Sequence, residues 1–418
     1  METALLLLLY LSMAALMVYL AASTAYLLFL AGAYFVVPEP AHPDPGTRCR
    51  FAVIVPAHDE ELLLPRLCQS LASVQYPRDR SEVFVVADNC TDHTAEVCGA
   101  FDVHVLVRTD AVHRGKGYAI AWALDRIPLE EFDAVLIVDA DNVVDPGILG
   151  ELNRLLAAGE QAVQCHNAVG NRSDSWFTQL LSVSRTVGNV LYHHAKYKLG
   201  LSSYLMGNGV CLSAGLLKDR KWKAFSVGED WEYYAQLIGD RVRIGFAVGA
   251  RVFHQESRSL HQATSQRLRW SSGRFQVLRR YGLRLFLDGI RRRDLFTLDA
   301  SLPLIFPNYS LQMNLTILFL VLAFAFTRTH AGWGFVIAGL CLVMGQAALF
   351  AAGVYLSKSY GQVFKALLRA PFFLVWKAGI DVLSFTGIYR GDAWVRTARH
   401  VSSDMKGGEN PGSRRSMP

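Results

Sequence analysis

From Ala4 to Val37 the chain runs for thirty-four positions without Asp, Glu, Lys or Arg, and further uncharged runs follow at Leu302–Phe326 and Ala331–Ser357. A helix needs about 20 apolar residues to cross a bilayer, where each backbone polar group must be satisfied within the segment itself. The runs therefore predict a membrane protein. Composition agrees: 52% hydrophobic against 19% charged over 418 residues is too apolar for a water-soluble chain and excludes a disordered or collagen-like one. The first run is longer than a signal peptide's apolar core and lacks a basic leader, Glu2 being the one charge before it. Its helical length of about 50 Å exceeds one membrane thickness but leaves no room for two spans and a turn. Residues 1–47 are thus expected to hold one long transmembrane helix.

Flanking charge orients it. Arg48, Arg50 and Arg66 follow the run, which places the segment from residue 48 onward in the cytoplasm. Residues 301–357 read as a transmembrane hairpin around a short outer loop, Thr327 to His330, and Lys358, Lys365 and Arg369 return the chain to the inside. The protein is expected in the cell membrane, multi-pass, with the domain from residue 48 onward cytoplasmic. Of the net charge of +6, the window Arg251–Ala300 alone supplies +7, from eleven Arg against Glu256, Asp288, Asp294 and Asp299. This belt predicts basic interfacial helices over 259–300, facing lipid or phosphate; no nucleic-acid motif accompanies it. Pro371–Thr386, carrying Lys377 and Asp381, reads as an interfacial helix within 358–401, and 402–418 as a disordered tail. The seven cysteines are scattered, with no C-x-x-C pair, which suits reduced thiols better than zinc.

Between residues 48 and 258 the pattern changes. Phe51–Val55, Val83–Ala87, Val103–Val107 and Ala134–Val138 read as strands buried on both faces, with helices at Glu60–Val74, Thr94–Ala100 and Gly117–Leu124. Such alternation predicts an α/β, doubly wound, mostly parallel sheet with ligands at the strand carboxyl ends. The polar clusters that follow the strands are Pro56-Ala57-His58-Asp59-Glu60-Glu61, Asp88-Asn89-Cys90-Thr91-Asp92 and Asp139-Ala140-Asp141-Asn142, while His113-Arg114-Gly115-Lys116-Gly117 opens a helix.

Asp139 and Asp141, two apart on an extended chain, can face one site and hold a hard cation, Mg²⁺ or Mn²⁺, that would bind a diphosphate. The plain alternative is a pair of solvated acids in a turn. Lys116 between glycines suits phosphate oxygens, or is a solvated lysine. Asp59 and Asp88 suit a nucleobase or ribose, or cap the next helix. Glu229 and Asp230 precede a helical stretch; one can serve as general base toward a sugar hydroxyl, and the helix dipole alone accounts for only one acid. On a helix Gln266, Arg269 and Trp270 share a face, an odd trio for a core stripe, whereas Arg267 is expected to point elsewhere, toward lipid headgroups. Arg274, Arg279, Arg280 and Arg291 to Arg293 read as a basic amphipathic surface on the membrane.

Taken in order, VIVPAHDEE, VVADNCTD, HRGKGYA, VDADN, GED and QRLRW, over roughly residues 50 to 275, resemble the membrane-bound family 2 glycosyltransferases, the group that includes cellulose, chitin and hyaluronan synthases and ceramide glucosyltransferase. Asp174 to Ser202 and Met206 to Gly209 look most like the bacterial exopolysaccharide-type branch. The resemblance implies a GT-A (Rossmann-like) fold, a nucleotide-diphosphate sugar donor, a divalent metal and inversion at the anomeric carbon. It puts Pro56, Asp59, Glu60, Asp88, Lys116 and Asp139 at the donor, Asp141 with Asp139 at the metal, and Asp230 as catalytic base. Glu229, Gln266, Arg267, Arg269, Trp270, Gly207, Asn208 and Gly209 fall at the acceptor and diphosphate.

Three spans with uncharged interiors are few for a polymer channel, so single addition to a membrane-lipid acceptor is the favoured expectation. A processive exopolysaccharide synthase, acting as a homo-oligomer or with a partner subunit on a glycan acceptor, is the alternative. A non-enzymatic transporter with a degenerate nucleotide fold is the remote one; it would be expected to lack one of Asp88, Asp141 and Asp230, and all three are present.

Overall fold

In a computed structural model, residues 2–42, 45–46, 48–327 and 330–387 are described. One eight-stranded sheet is built from β1 (Phe51–Ala57), β2 (Ser81–Asp88), β3 (His104–Arg108), β4 (Ala134–Ile137), β5 (Val143–Val144), β6 (Ala162–Val169), β7 (Val210–Ser213) and β8 (Ile244–His254), in the order β3-β2-β1-β4-β7-β6-β8-β5. Residues alternate between two cores: Ala52 and Ile54 join one apolar cluster, and Phe51, Val53 and Val55 the other. Both faces of β1 are covered, which is why its sequence is an unbroken apolar run.

The first four strands lie where the sequence puts them. β5 to β8 carry no comparably clear signal: β5 has two residues, β7 has four, and β8 contains Gly245 and Gly249 and meets β6 across a register shift at Cys165/His166. The sheet is also more mixed than expected, since β7 runs antiparallel to β4 and β6, and β5 antiparallel to β8. The helix expected from Glu60 begins at Leu64, with Pro65 in its first turn, where the missing N–H costs nothing.

Two helices, Ala4–Val36 and Gly332–Ser357, are long and apolar enough to cross a membrane, and a third span forms if the bent pair Leu295–Ile305 and Tyr309–Ala325 counts as one. The break, a 71° bend, falls at Phe306–Asn308. Pro303 sits inside the first piece and Pro307 in the gap, and Asn308 caps the second by accepting from Leu311 N at 2.9 Å. The spans are not purely apolar within. Gln312 Nε2 donates to Thr24 Oγ1 at 2.7 Å and Gln346 Nε2 to Thr316 Oγ1 at 2.8 Å, all four side chains buried, so these polar groups join helices to one another. The first helix is tied to the sheet domain by Asp299, which accepts from Tyr26 Oη at 2.5 Å and pairs with buried Lys196 at 3.0 Å.

The helix Ala370–Thr386 packs on Leu260–Val277. Its two charges are buried: Lys377 pairs with Asp381, which also accepts from Ser271 Oγ at 3.1 Å. The expected disordered tail, 402–418, and residues 388–401 lie outside the described residues.

Candidate active site

The carboxyl end of β4 delivers Asp139 and Asp141 to a cavity of about 1130 Å³. Asp139 is fixed by its surroundings. Its backbone N–H donates to Asn208 Oδ1 at 3.2 Å, and its carboxylate meets Lys116 Nζ at 2.5 Å. Asn208 is in turn held by Asn167, whose Oδ1 accepts from its amide at 3.2 Å. Burial pushes the Asp139 carboxyl above the ordinary range, with the Asp141 charge adding to it. Burial works against the Lys116 ammonium, but Asp139 and Glu229, 3.6 Å away, outweigh it and hold it above its ordinary range. Lys116 also donates to the Gly207 carbonyl.

Asp230 lies in the first turn of Glu229–Gly239, its Oδ1 accepting from Trp231 N at 2.8 Å. Burial, then the like charge of Glu229, push its carboxyl up to about 7. This helix meets Leu260–Val277 backbone to backbone: a Cβ on Gly273 would stand 2.8 Å from Gly228 N. The contact brings Gln266, Arg269 and Trp270 to the same cavity as Asp230, and Arg269 lies close enough to Asp139 to lower the acidity shift of its carboxyl.

Gly207 has φ +75°, and a Cβ there would come within 3.1 Å of Asp230 Oδ2. Only glycine combines that backbone with that approach. If Asp230 is the base that the resemblance implies, Gly207→Ala is expected to lower kcat at least tenfold while leaving nucleotide affinity within about twofold, since roughly 1–2 kcal/mol of backbone strain and a displaced Asp230 carboxylate fall on the transfer step. Steady-state kinetics checks this. Gly209, wedged against Cys165 and Val252, starts β7 behind the site.

Pro56, Glu60 and Glu229 line the cavity with the residues above. Asp59 and Asp88 stand apart from its lining. Asp88 is 1% exposed and bound to Arg108 Nη1 at 2.5 Å. Asp59, at φ 54°, accepts from Thr91 N at 2.6 Å and does not cap the helix that begins at Leu64. Ligating atoms of Asp59, Cys90 and Asp92 lie within 4.8 Å of one another, a second acidic group that the sequence reading did not single out.

Arg267 does not turn away to lipid. It lines the cavity, pairs with buried Glu256 at 2.6 Å and stacks over Trp270 at 4.6 Å. Arg274, expected on a membrane-facing surface, also lines the cavity, and its Nη2 donates to the carbonyls of Pro303 (3.0 Å) and Phe306 (2.5 Å), groups released by the helix break. Arg185 and Tyr204 line it too and carry no motif. The available signal for Arg185 is that it is the one charged side chain in the helix Trp176–Thr186.

The sequence of residues 48–273 matches the model of the family described as glycosyltransferase like family 2. The chain belongs to that family. Among curated proteins, this family 2 chain is 24% identical over 259 residues to the probable glycosyltransferase YdaM of Bacillus subtilis, covering 60% of each. It is 25% identical over 232 residues to a beta-monoglucosyldiacylglycerol synthase of Nostoc sp., covering 54% of this chain and 49% of that one. A hyaluronan synthase of Streptococcus pyogenes is 29% identical over 175 residues, 38% of either chain. The matches thus span between about a third and three fifths of these relatives. Among solved structures, the mannosyltransferase PcManGT of Pyrobaculum calidifontis superposes with a TM-score of 0.55 at 19% identity, over 88% of this chain and 99% of that one. The sheet domain has a GT-A-like fold, with long apolar helices attached.

Proposed function

We propose that the chain transfers one sugar per encounter from a nucleotide-diphosphate sugar to a membrane-lipid acceptor, with inversion, from a catalytic domain on the cytoplasmic side of the cell membrane. One observation carries this reading: a single cavity joins the carboxylates Asp139, Asp141 and Asp230 to a wall of apolar side chains from the long helices, among them Leu27, Met313 and Phe350. A hydroxyl at Asp230 and a lipid chain along that wall occupy one continuous space. The diacylglycerol-glucosylating enzymes among the relatives support it. Likeness to hyaluronan synthases supports a processive reading instead.

In the transfer, Asp230 accepts the proton of the acceptor hydroxyl. That oxygen bonds to the anomeric carbon while the carbon–oxygen bond to the nucleotide diphosphate breaks, its electron pair leaving with the nucleotide. Lys116 and Arg269 would lie along the diphosphate and stabilise its growing charge, Gln266 and Trp270 would orient the sugars, and Pro56 and Glu60 flank the donor.

The residues suit a divalent cation. Asp139 and Asp141 offer hard oxygen donors whose charges oppose each other, and the neighbouring Asn142 is 1% exposed with neither side-chain polar atom hydrogen-bonded among the described residues. Asp139 and Asp141 would hold Mg²⁺ or Mn²⁺, which would supply charge neutralisation to the diphosphate. The PcManGT structure is described as a complex with GDP-Man and Mn²⁺.

Detergent-purified protein given labelled nucleotide sugars, Mn²⁺ or Mg²⁺ and a lipid extract should yield low-mass glycolipid; high-mass polymer would establish the processive reading. The pH dependence follows from Asp230. Below about 7 its carboxyl holds its proton and cannot accept another. kcat/KM is therefore expected to rise about tenfold per unit up to pH 7 and then level off, a limb that a pH–rate profile would show.

A further inference from the structure

The cavity that joins the carboxylates to the apolar wall also carries a cluster of positive charge that the transfer chemistry does not use. Arg185, Arg267 and Arg274 all line it. Glu256, whose side chain is 1% exposed, pairs with Arg267 at 2.6 Å, with Arg185 at 3.6 Å and with His254 at 3.1 Å. Glu256 thus faces two guanidinium groups, those of Arg267 and Arg185, and Arg274 spends its Nη2 on carbonyls rather than on a charge. Arg267 Nε is buried and lacks a hydrogen-bond partner. Arg185 leaves 29% of its side chain accessible, although it lines an interior space. A buried cluster of uncompensated cations is costly unless an anion completes it.

The position of the cluster narrows the anion. The Tyr204 hydroxyl lies in the fields of Arg185, Arg274 and Asp230 together, and its ring stacks on Trp231 at 4.7 Å, one residue beyond the base. The Arg274 guanidinium lies over the Trp231 ring at 5.6 Å, beside the residue that follows the base. The helix Trp176–Thr186 that carries Arg185 packs against the long apolar helix His330–Ser357. The donor diphosphate has cations of its own, Lys116 and Arg269 beside Asp139. One cavity thus holds the base, these guanidinium groups and the apolar wall, and a membrane lipid that carries a hydroxyl, a phosphate and acyl chains offers a partner for each.

We propose that Arg185, Arg267 and Arg274 form a phosphate subsite for the acceptor, which is a phospholipid with a hydroxyl-bearing headgroup and not a neutral diacylglycerol. This rests on the lipid-acceptor reading above and specifies it.

The test uses the full chain in phosphatidylcholine nanodiscs doped with either phosphatidylglycerol or diacylglycerol. UDP-glucose, UDP-galactose, UDP-N-acetylglucosamine and GDP-mannose are supplied in turn with Mn²⁺. Glycosylated phosphatidylglycerol is the expected product. Arg185→Gln should raise the KM for that lipid at least about tenfold, the loss of a charge-assisted hydrogen bond, with the donor KM unchanged and Arg185→Lys recovering part. Product from diacylglycerol alone, or a rise confined to the donor KM, overturns the phosphate subsite and leaves the lipid-acceptor reading standing. Polymer, or no product from either lipid, removes both. Trp231 and Trp270 lie 5.6 and 4.6 Å from Arg274 and Arg267, so tryptophan fluorescence of the unmutated protein gives a readout independent of variant folding. A response to phosphatidylglycerol over diacylglycerol supports the subsite. An equal response to soluble glycerol phosphate assigns the arginines to a free anion and overturns it.

Discussion

Asp230→Asn is expected to lower kcat by roughly 10²–10⁴-fold while the affinity for UDP stays within about twofold. Asparagine keeps the shape and the hydrogen bond from Trp231 N but cannot take a proton from the acceptor. Stability should move the other way. The Asp230 carboxyl is raised to about 7 by burial and by Glu229. Between the carboxyl's unfolded value near 4 and 7, the unfolded chain releases a proton that the folded one keeps. Ionisable Asp230 therefore costs stability progressively as pH climbs through that window, and fully above it. The variant lacks this cost, so its thermal midpoint in detergent should match or exceed the parent's at pH 8, and the difference should shrink toward pH 5. A variant that turns over normally would remove Asp230 from the role of base; one that melts earlier at pH 8 would show that its carboxylate is structural.

Arg108→Leu should produce the largest loss of stability. Asp88 and Arg108 form an ion pair at 2.5 Å with side-chain exposures of 1% and 4%. Arg108 also donates to Asp110 at 2.9 Å and to the His113 carbonyl at 2.7 Å, which ties the end of β3 to the loop leading to Lys116. Removing the guanidinium leaves a buried carboxylate that keeps the Asn89 amide as its side-chain partner among the described residues, at a cost of about 3–5 kcal/mol. The double variant Asp88→Asn/Arg108→Leu removes the orphaned charge as well and should regain part of that loss, the sign of a coupled pair. Unfolding of the four proteins closes the cycle; an additive double variant would show that the two residues act independently. Arg108 carries no motif, yet it holds Asp88 in the position that the family resemblance assigns to the donor.

The sheet's first half was legible because strands covered on both faces must be apolar throughout, a pattern that Phe51–Ala57 and Ala134–Ile137 display without ambiguity. β7 and β8 were not, since four residues or a glycine-interrupted run can be strand or loop until neighbours supply the pairing. Asp139, Asp141, Asp230 and Gln266 to Trp270 were legible as ordered motifs. Their convergence depends on Gly228 meeting Gly273 across two helices, a contact between residues 45 apart in sequence whose need for two hydrogens in place of side chains leaves no local trace.

The arginines show the same division. Hydropathy determined that the chain has helices able to enter a membrane, because an uncharged run of that length has few other stable environments. It could not tell an arginine on a basic surface from one inside a cavity. A guanidinium faces lipid headgroups, a buried Glu256 or the carbonyls freed by a broken helix with equal ease, and the choice belongs to whatever the fold packs beside it. Tertiary structure made that choice for Arg185, Arg267 and Arg274, which all line one cavity.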